Sequence, residues 1–146
     1  MSNSRERSRS TYTKYYSWFY IDSLIEKLLR RMSGESHRFE SIVAVPRGGL
    51  IPGTILSHRL QKPLFCLDWY ANYPMDFCGD VLVIEDVVDT GKAIAKTRHL
   101  VRTVDGCRIW YAALIRKLWA PPIDFWGQQE DAWVEFPWEK ANVYGI

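Results

Sequence analysis

The stretch "VLVIEDVVDTGKAIAK", residues 81–96, decides how the chain folds. It opens with four apolar residues, three of them β-branched, as a strand buried on both faces does. Glu85, Asp86 and Asp89 then crowd into five positions, and Thr90, Gly91, Lys92 and Ala93 lead into a segment of helical character. Strand, polar turn and helix in this order make up most of a βαβ unit, the building block of a parallel sheet. In such sheets ligands lie outside the carboxyl ends of the strands, and that is where the acids fall.

The same alternation repeats outward from this stretch. "SIVAV" (41–45) is a short apolar run that stops at Pro46, Arg47, Gly48 and Gly49, and "LIPGTILSHRL" (50–60) reads as a helix ending before Lys62 and Pro63. "PLFCLD" (63–68) and "CRIWYAALI" (107–115) predict two more buried strands, with a helix from about Lys92 to Thr103 ahead of the second. Upstream, Ile21, Leu24, Ile25, Leu28, Leu29 and Met32 recur at three and four, which predicts an amphipathic helix with Ser23 and Glu26 as its capping box. The expected fold class is therefore α/β, a central, mostly parallel sheet flanked by helices. "WYANYPMDFCGD" (69–80) reads as a loop, and "LWAPPIDFWGQQEDAW", after Lys117, as an irregular appendage packed over the sheet edge.

A chain of 146 residues is the size of one domain and can bury a core without disulfides or a structural metal. Residues 1–12 hold almost no apolar side chains and are expected to form a disordered tail, leaving 13–146 as a single domain. A net charge of +2 exerts no broad pull towards nucleic acid, and no apolar stretch is long enough to span a bilayer. Cys66, Cys78 and Cys107 are an odd number at wide spacings without a C-x-x-C pair. They read as free thiols, and a cytoplasmic protein is expected. Seven tryptophans are a large share for this length, and they favour core or subunit-interface roles, hence a homodimer or homotetramer.

The first turn of the helix after Gly91 exposes unpaired N–H groups and a partial positive charge, which suits a phosphate. Three acids beside an anion would repel it unless they bind something else on the same ligand, such as hydroxyls or a divalent cation. The plainer reading is a polar turn whose acids cap a helix. Neither G-x-x-x-x-G-K-[ST] nor G-x-G-x-x-G is present, which removes the two common nucleotide-binding loops. "VPRGG" (45–49) offers a bidentate cation in Arg47 and backbone N–H groups at Gly48 and Gly49. Two such strand ends imply a ligand with anionic groups at both ends.

"VLVIEDVVDTGK" (81–92) resembles the signature of the type I phosphoribosyltransferases, which bind phosphoribosyl pyrophosphate (PRPP), and "VAVPRGGLIPG" (43–53) resembles the pyrophosphate loop of that family. "DAWVEFPWE" (131–139) and Lys117 at a strand end narrow the likeness to the bacterial xanthine-guanine branch, over about residues 14–142. The resemblance implies a small hood built from the two ends of the chain beside the sheet. It implies that Glu85 and Asp86 hold the ribose hydroxyls, directly or through magnesium, and that Asp89 is the catalytic group facing purine N7. The backbone from Asp89 through Thr90, Gly91, Lys92 and Ala93 would wrap the 5-phosphate, with Val88 also against PRPP. Arg47, Gly48 and Gly49 would hold the pyrophosphate, with a cis peptide at Pro46–Arg47. Lys117 would donate to a purine 6-oxo group, Trp133 would stack on the ring, and the Val134 carbonyl would receive a 2-amino group. Asp86 and Glu139 would be the Mg2+ ligands. The substrates so implied are PRPP and a 6-oxopurine, guanine, xanthine or hypoxanthine.

Two features differ from the family pattern. Ala93 stands where a threonine is usual, which removes one hydroxyl from the phosphate cradle. The loop 69–80 is short and carries two acids where relatives have a longer basic loop, so shielding from water would fall to Trp69, Tyr70 and Tyr73. The alternative function is a catalytically weak or inactive PRPP- or nucleotide-binding regulator of the same fold, with the basic tail touching nucleic acid.

Overall fold

In the computed structural model, the residues described are 12–140; the expected tail, apart from Tyr12, lies outside them, as do 141–146. Strand β1 (Thr13–Tyr15) is followed by helix α1 (Trp18–Met32), strand β2 (Phe39–Ala44), helix α2 (Leu50–Leu60) and strand β3 (Leu64–Cys66). Then come β4 (Met75–Phe77), β5 (Asp80–Val88), α3 (Lys92–Leu100), β6 (Val101–Thr103), β7 (Ile109–Arg116), β8 (Phe125–Gln129) and β9 (Trp133–Glu135). The central sheet has the order β3-β2-β5-β7-β8 and every neighbouring pair in it is parallel.

Apolar residues on the two faces of the sheet explain the layering. Ile42, Ala44, Leu82, Ile84, Ala112 and Leu114 point to the side covered by α1 and α2, with Leu24, Leu28 and Leu56 packed on them. Alternate positions of the same strands, Val43, Val81 and Val83, face the opposite side with Leu67, Phe77, Leu100 and Val101. Burial on both faces is why these strands read as near-continuous apolar runs. Every connection within the sheet returns to the same end, so the carboxyl ends of β2, β5 and β7 sit side by side.

Several boundaries differ from the sequence expectation, each for a local reason. Helix α1 starts at Trp18 because the Ser17 hydroxyl accepts from the Tyr20 N–H at 3.1 Å. Ser23 lies inside the helix, where its hydroxyl donates to the Tyr20 carbonyl, and Glu26 instead pairs with Arg59 at 2.6 Å, so the expected capping box does not form. Helix α3 ends at Leu100, because Val101–Thr103 leaves as a strand that pairs in parallel with β4. The loop 69–80 therefore contains a short strand. The segment after Lys117 is not merely an appendage, since Phe125–Gln129 forms the fifth strand of the main sheet, beside β7. Gly127 permits this: a Cβ there would lie 2.7 Å from the Leu114 carbonyl oxygen and 3.2 Å from that of Leu24.

The expected hood is present as a parallel pair of β1 with β9, which joins the two ends of the described chain beside the sheet. Cys66, Cys78 and Cys107 are free. No helix among the described residues is long and apolar enough to cross a membrane.

Candidate active site

The carboxyl ends of β2 and β5 each turn sharply before a helix. After β2, the Pro46–Arg47 bond is cis. Gly49 N–H donates to the Val45 carbonyl at 3.0 Å, and Leu50 N–H to the Arg47 carbonyl at 3.1 Å. Of the two glycines expected to offer amides to a pyrophosphate, Gly48 is thus the one left to do so. Gly49 has a packing role instead: a Cβ there would sit 2.6 Å from the Val45 carbonyl oxygen and overlap that of Ile84. A Cβ on Gly48 would overlap the Asp86 carboxylate, so the turn and the acid are in direct contact.

Strand β5 runs on through Val88, so Glu85 and Asp86 lie on the strand and only Asp89 lies on the turn. Gly91 holds φ +84° at the N-cap of α3, and no side chain caps that helix. Its first turn has no acidic residue and begins with Lys92, a cation at the end of the dipole that prefers an anion. Such an end is better satisfied by an external phosphate than by the protein itself. The Thr90 hydroxyl lies 3.4 Å from the Lys92 nitrogen, inside the same turn.

Three adjoining cavities follow the strand ends. One of about 540 Å³ is lined by Arg47, Gly48, Asp86, Trp138 and Glu139 among others. A second, of about 250 Å³, is lined by Asp86, Val87, Asp89, Lys117, Trp133, Val134, Phe136 and Glu139. The third, about 210 Å³, is bounded by Glu85 and by Val87 through Ala93. The first two share Asp86 and Glu139, and the last two share Val87 and Asp89. Every substrate-site residue singled out in the sequence except Gly49 therefore falls along one trough, while Trp69, Tyr70 and Tyr73 of the short loop do not line it. A larger cavity of about 600 Å³ lies by the opposite ends of β7 and β8, where Arg108 and Asp124 already pair with each other.

In the middle cavity, Lys117 is buried and its ammonium donates to the Ala132 carbonyl, which leaves two N–H groups for a ligand. Burial draws its pKa below the usual value, while Asp89, Glu130 and Asp131 oppose that change. Trp133 is 67% exposed at the rim of this cavity. Tyr16 N–H donates to the Glu135 carbonyl at 3.0 Å, and backbone groups alternate in direction along a strand. The Val134 carbonyl therefore points away from β1.

Burial, and then the Asp86 charge, push the Glu85 carboxyl up to about 7. Asp86 is raised chiefly by burial, against the pull of the Val87 N–H, with Glu139 adding like-charge repulsion. One Glu139 oxygen accepts from the Phe136 N–H at 2.8 Å, and the other is uncommitted among the described residues. No group of three or more His, Cys, Asp or Glu among the described residues converges as a cage for a metal ion.

Sequence reasoning missed three contributors. Trp119 donates its indole N–H to Asp89 Oδ1 at 2.5 Å. Trp138 stacks on Phe136 with centroids 4.7 Å apart and lines the cavity beside Arg47 and Gly48. Lys96 lies 4.3 Å over the Trp69 ring, which ties the short loop to α3. No spacing rule marks a tryptophan for any of these tasks; only the aromatic surplus hinted at them.

No family model matches the chain. The xanthine-guanine phosphoribosyltransferase of Cereibacter sphaeroides is 26% identical to it over 152 aligned positions, which cover 89% of both chains. That of Desulfotalea psychrophila is 28% identical over 122 positions, covering 73% of this chain and 74% of the relative. Among solved structures, the purine phosphoribosyltransferase of Pyrococcus horikoshii superposes with a TM-score of 0.70 at 27% identity, over 92% of this chain and 98% of that one. Over 73–98% of the chains compared, this chain is therefore similar in sequence and fold to purine phosphoribosyltransferases, the xanthine-guanine enzymes among them.

Proposed function

We propose that the chain is a purine-salvage enzyme that moves the 5-phosphoribosyl group of PRPP to N9 of a 6-oxopurine, guanine, xanthine or hypoxanthine, and releases pyrophosphate. The observation that carries this reading is the trough itself. It has an anion-receiving turn at each outer cavity, and a buried cation facing an exposed indole in the cavity between them.

On this reading the 5-phosphate sits on the uncapped start of α3, and the pyrophosphate lies against Arg47 and the Gly48 amide. The C1–O bond to pyrophosphate breaks as the C1–N9 bond forms, with positive charge developing on the ribose ring. Glu85 and Asp86, against the ribose hydroxyls, hold the ring in place while that charge develops. The incoming base loses a proton, and Asp89 accepts it across the boundary of the base and phosphate cavities. Lys117 meets the 6-oxo group with a charge-assisted bond, whereas adenine would place its amino group against a cation that has no acceptor.

Asp86 and Glu139 are the side chains that would hold Mg2+. Two carboxylates without a third fit an ion that takes its remaining ligands from water and substrate phosphates. When bound, the ion offsets the charge of the departing pyrophosphate. The test is to mix the protein with PRPP, magnesium and each of guanine, xanthine, hypoxanthine and adenine, and to follow nucleotide and pyrophosphate formation. Turnover with the oxopurines is expected. Silence with every base would end the proposal.

A further inference from the structure

Two residues past Lys117 the chain carries a tryptophan whose side chain does not line the base cavity yet reaches Asp89. Ala120 N–H returns to the Lys117 carbonyl at 3.1 Å and closes a tight turn. The turn is fixed from both sides. Arg116 donates to the Ala120 carbonyl at 2.9 Å, and Leu118 N–H donates to Asp131 at 2.9 Å. Ala120 is buried with Val88 and Ile94, and a Cβ on Gly91 would lie 2.5 Å from Pro121. One turn thus presents Lys117 to the base cavity and Trp119 to Asp89, with its far end seated on the phosphate turn.

Asp89 stands on the turn after β5, where a lone carboxylate is free to rotate. The Trp119 indole holds Oδ1 at 2.5 Å. An indole N–H is a donor only, so it engages the carboxylate without competing for the proton of the base. Resting on the phosphoribosyl-transfer reading above, we propose that Trp119 is a positioning residue: it fixes one oxygen of Asp89 so that the other meets the purine N–H. Small displacements of a proton acceptor are costly, on the order of a hundredfold for about 1 Å.

The experiment compares the wild-type chain with Trp119→Phe, Asp89→Asn and the double variant. Trp119→Phe should lower kcat roughly tenfold and leave KM for PRPP within about twofold. The double variant should be no slower than Asp89→Asn, because the tryptophan acts only through the acid. In nitrogen-labelled spectra of the full chain, Asp89→Asn should displace the assigned Trp119 indole resonance more than any other indole resonance. Losses that multiply in the double variant, a PRPP KM that rises as far as kcat falls, or an unmoved Trp119 resonance would each overturn the inference. A wild-type chain inert towards every purine base would sink the proposed function instead, and the indole resonance would still decide whether the two side chains are bonded.

Discussion

The turn after β2 and the turn after β5 both end a buried strand with glycine and both are read as anion sites, yet they are built differently. Gly48 and Gly49 are required by what surrounds them, the Asp86 carboxylate and the carbonyls of Val45 and Ile84. Gly91 is required first by its own backbone, at φ +84°, and then by Pro121. The first turn is therefore coupled to the acids of β5, and the second to the segment that carries Lys117. On the proposed reading, each anion site is thus locked to a different other part of the substrate, the ribose and metal end for one and the base end for the other.

The strand joining the turns provides the largest expected effect. The folded chain retains a proton on Glu85 between about pH 4.5 and 7, a window in which the unfolded chain has lost it. A group whose pKa is raised in this way contributes stability at low pH that disappears as pH rises through the window. The metal-free protein should thus lose up to about 3 kcal/mol of this contribution between pH 4.5 and pH 8. Asp86 adds to the loss, being raised as well. The carboxyls of Glu26, Asp76, Asp80 and Glu130 are lowered and act below the window. Urea unfolding in a chelator at the two pH values measures the slope, and Glu85→Gln should flatten it. A wild-type slope no steeper than that of Glu85→Gln would mean that Glu85 is not held neutral.

Lys117→Ala attacks the base side alone. Removing a charge-assisted bond of about 1.5–3 kcal/mol should cut kcat/KM for guanine by roughly 10- to 150-fold and leave KM for PRPP nearly unchanged. Preference for oxopurines over adenine should vanish with it. If selectivity survives, the 6-position is read by another group. Gly48→Ala attacks the other side. Its Cβ must displace Asp86, at a cost of about 1–3 kcal/mol, so affinity for PRPP with magnesium should fall while the ratio of guanine to adenine stays constant. Titration of both ligands into both variants checks whether the two ends separate in this way.

What could be read from the sequence follows from how local its cause is. Helix α2 matches its expected span, 50–60, because it begins after Gly49 and ends before Pro63. The parallel sheet was legible because burial on both faces leaves unbroken apolar runs in β2, β5 and β7. Strand β8, "FWGQQ", has no such run: it is a strand because β7 offers an edge and Gly127 lets α1 close over it. The short β4 and β6 exist only through each other. In the site, the acids and glycines announce themselves by type and spacing. Lys117 and Trp133 became candidates only through resemblance, and Trp119 through neither, because its partner is 30 positions away.

Ala93 is where the second turn departs from the family pattern, and restoring the hydroxyl there is the smallest test of the comparison. Position 93 follows Lys92 in the first turn of α3, half-buried and lining the phosphate-side cavity. A threonine there would set a second hydroxyl beside the amides and the Thr90 hydroxyl, worth about 1 kcal/mol, or roughly fivefold in PRPP affinity. Threonine is a poorer helix former than alanine by a few tenths of a kcal/mol, but a first-turn position softens that difference. If the turn after β5 acts on phosphate alone, Ala93→Thr should tighten PRPP about fivefold, measured by calorimetry, with no change in base selectivity and no change in pyrophosphate inhibition. A gain that appears equally for pyrophosphate would show that the two turns are not separate sites, because a hydroxyl at the start of α3 reaches only the phosphate end of the trough.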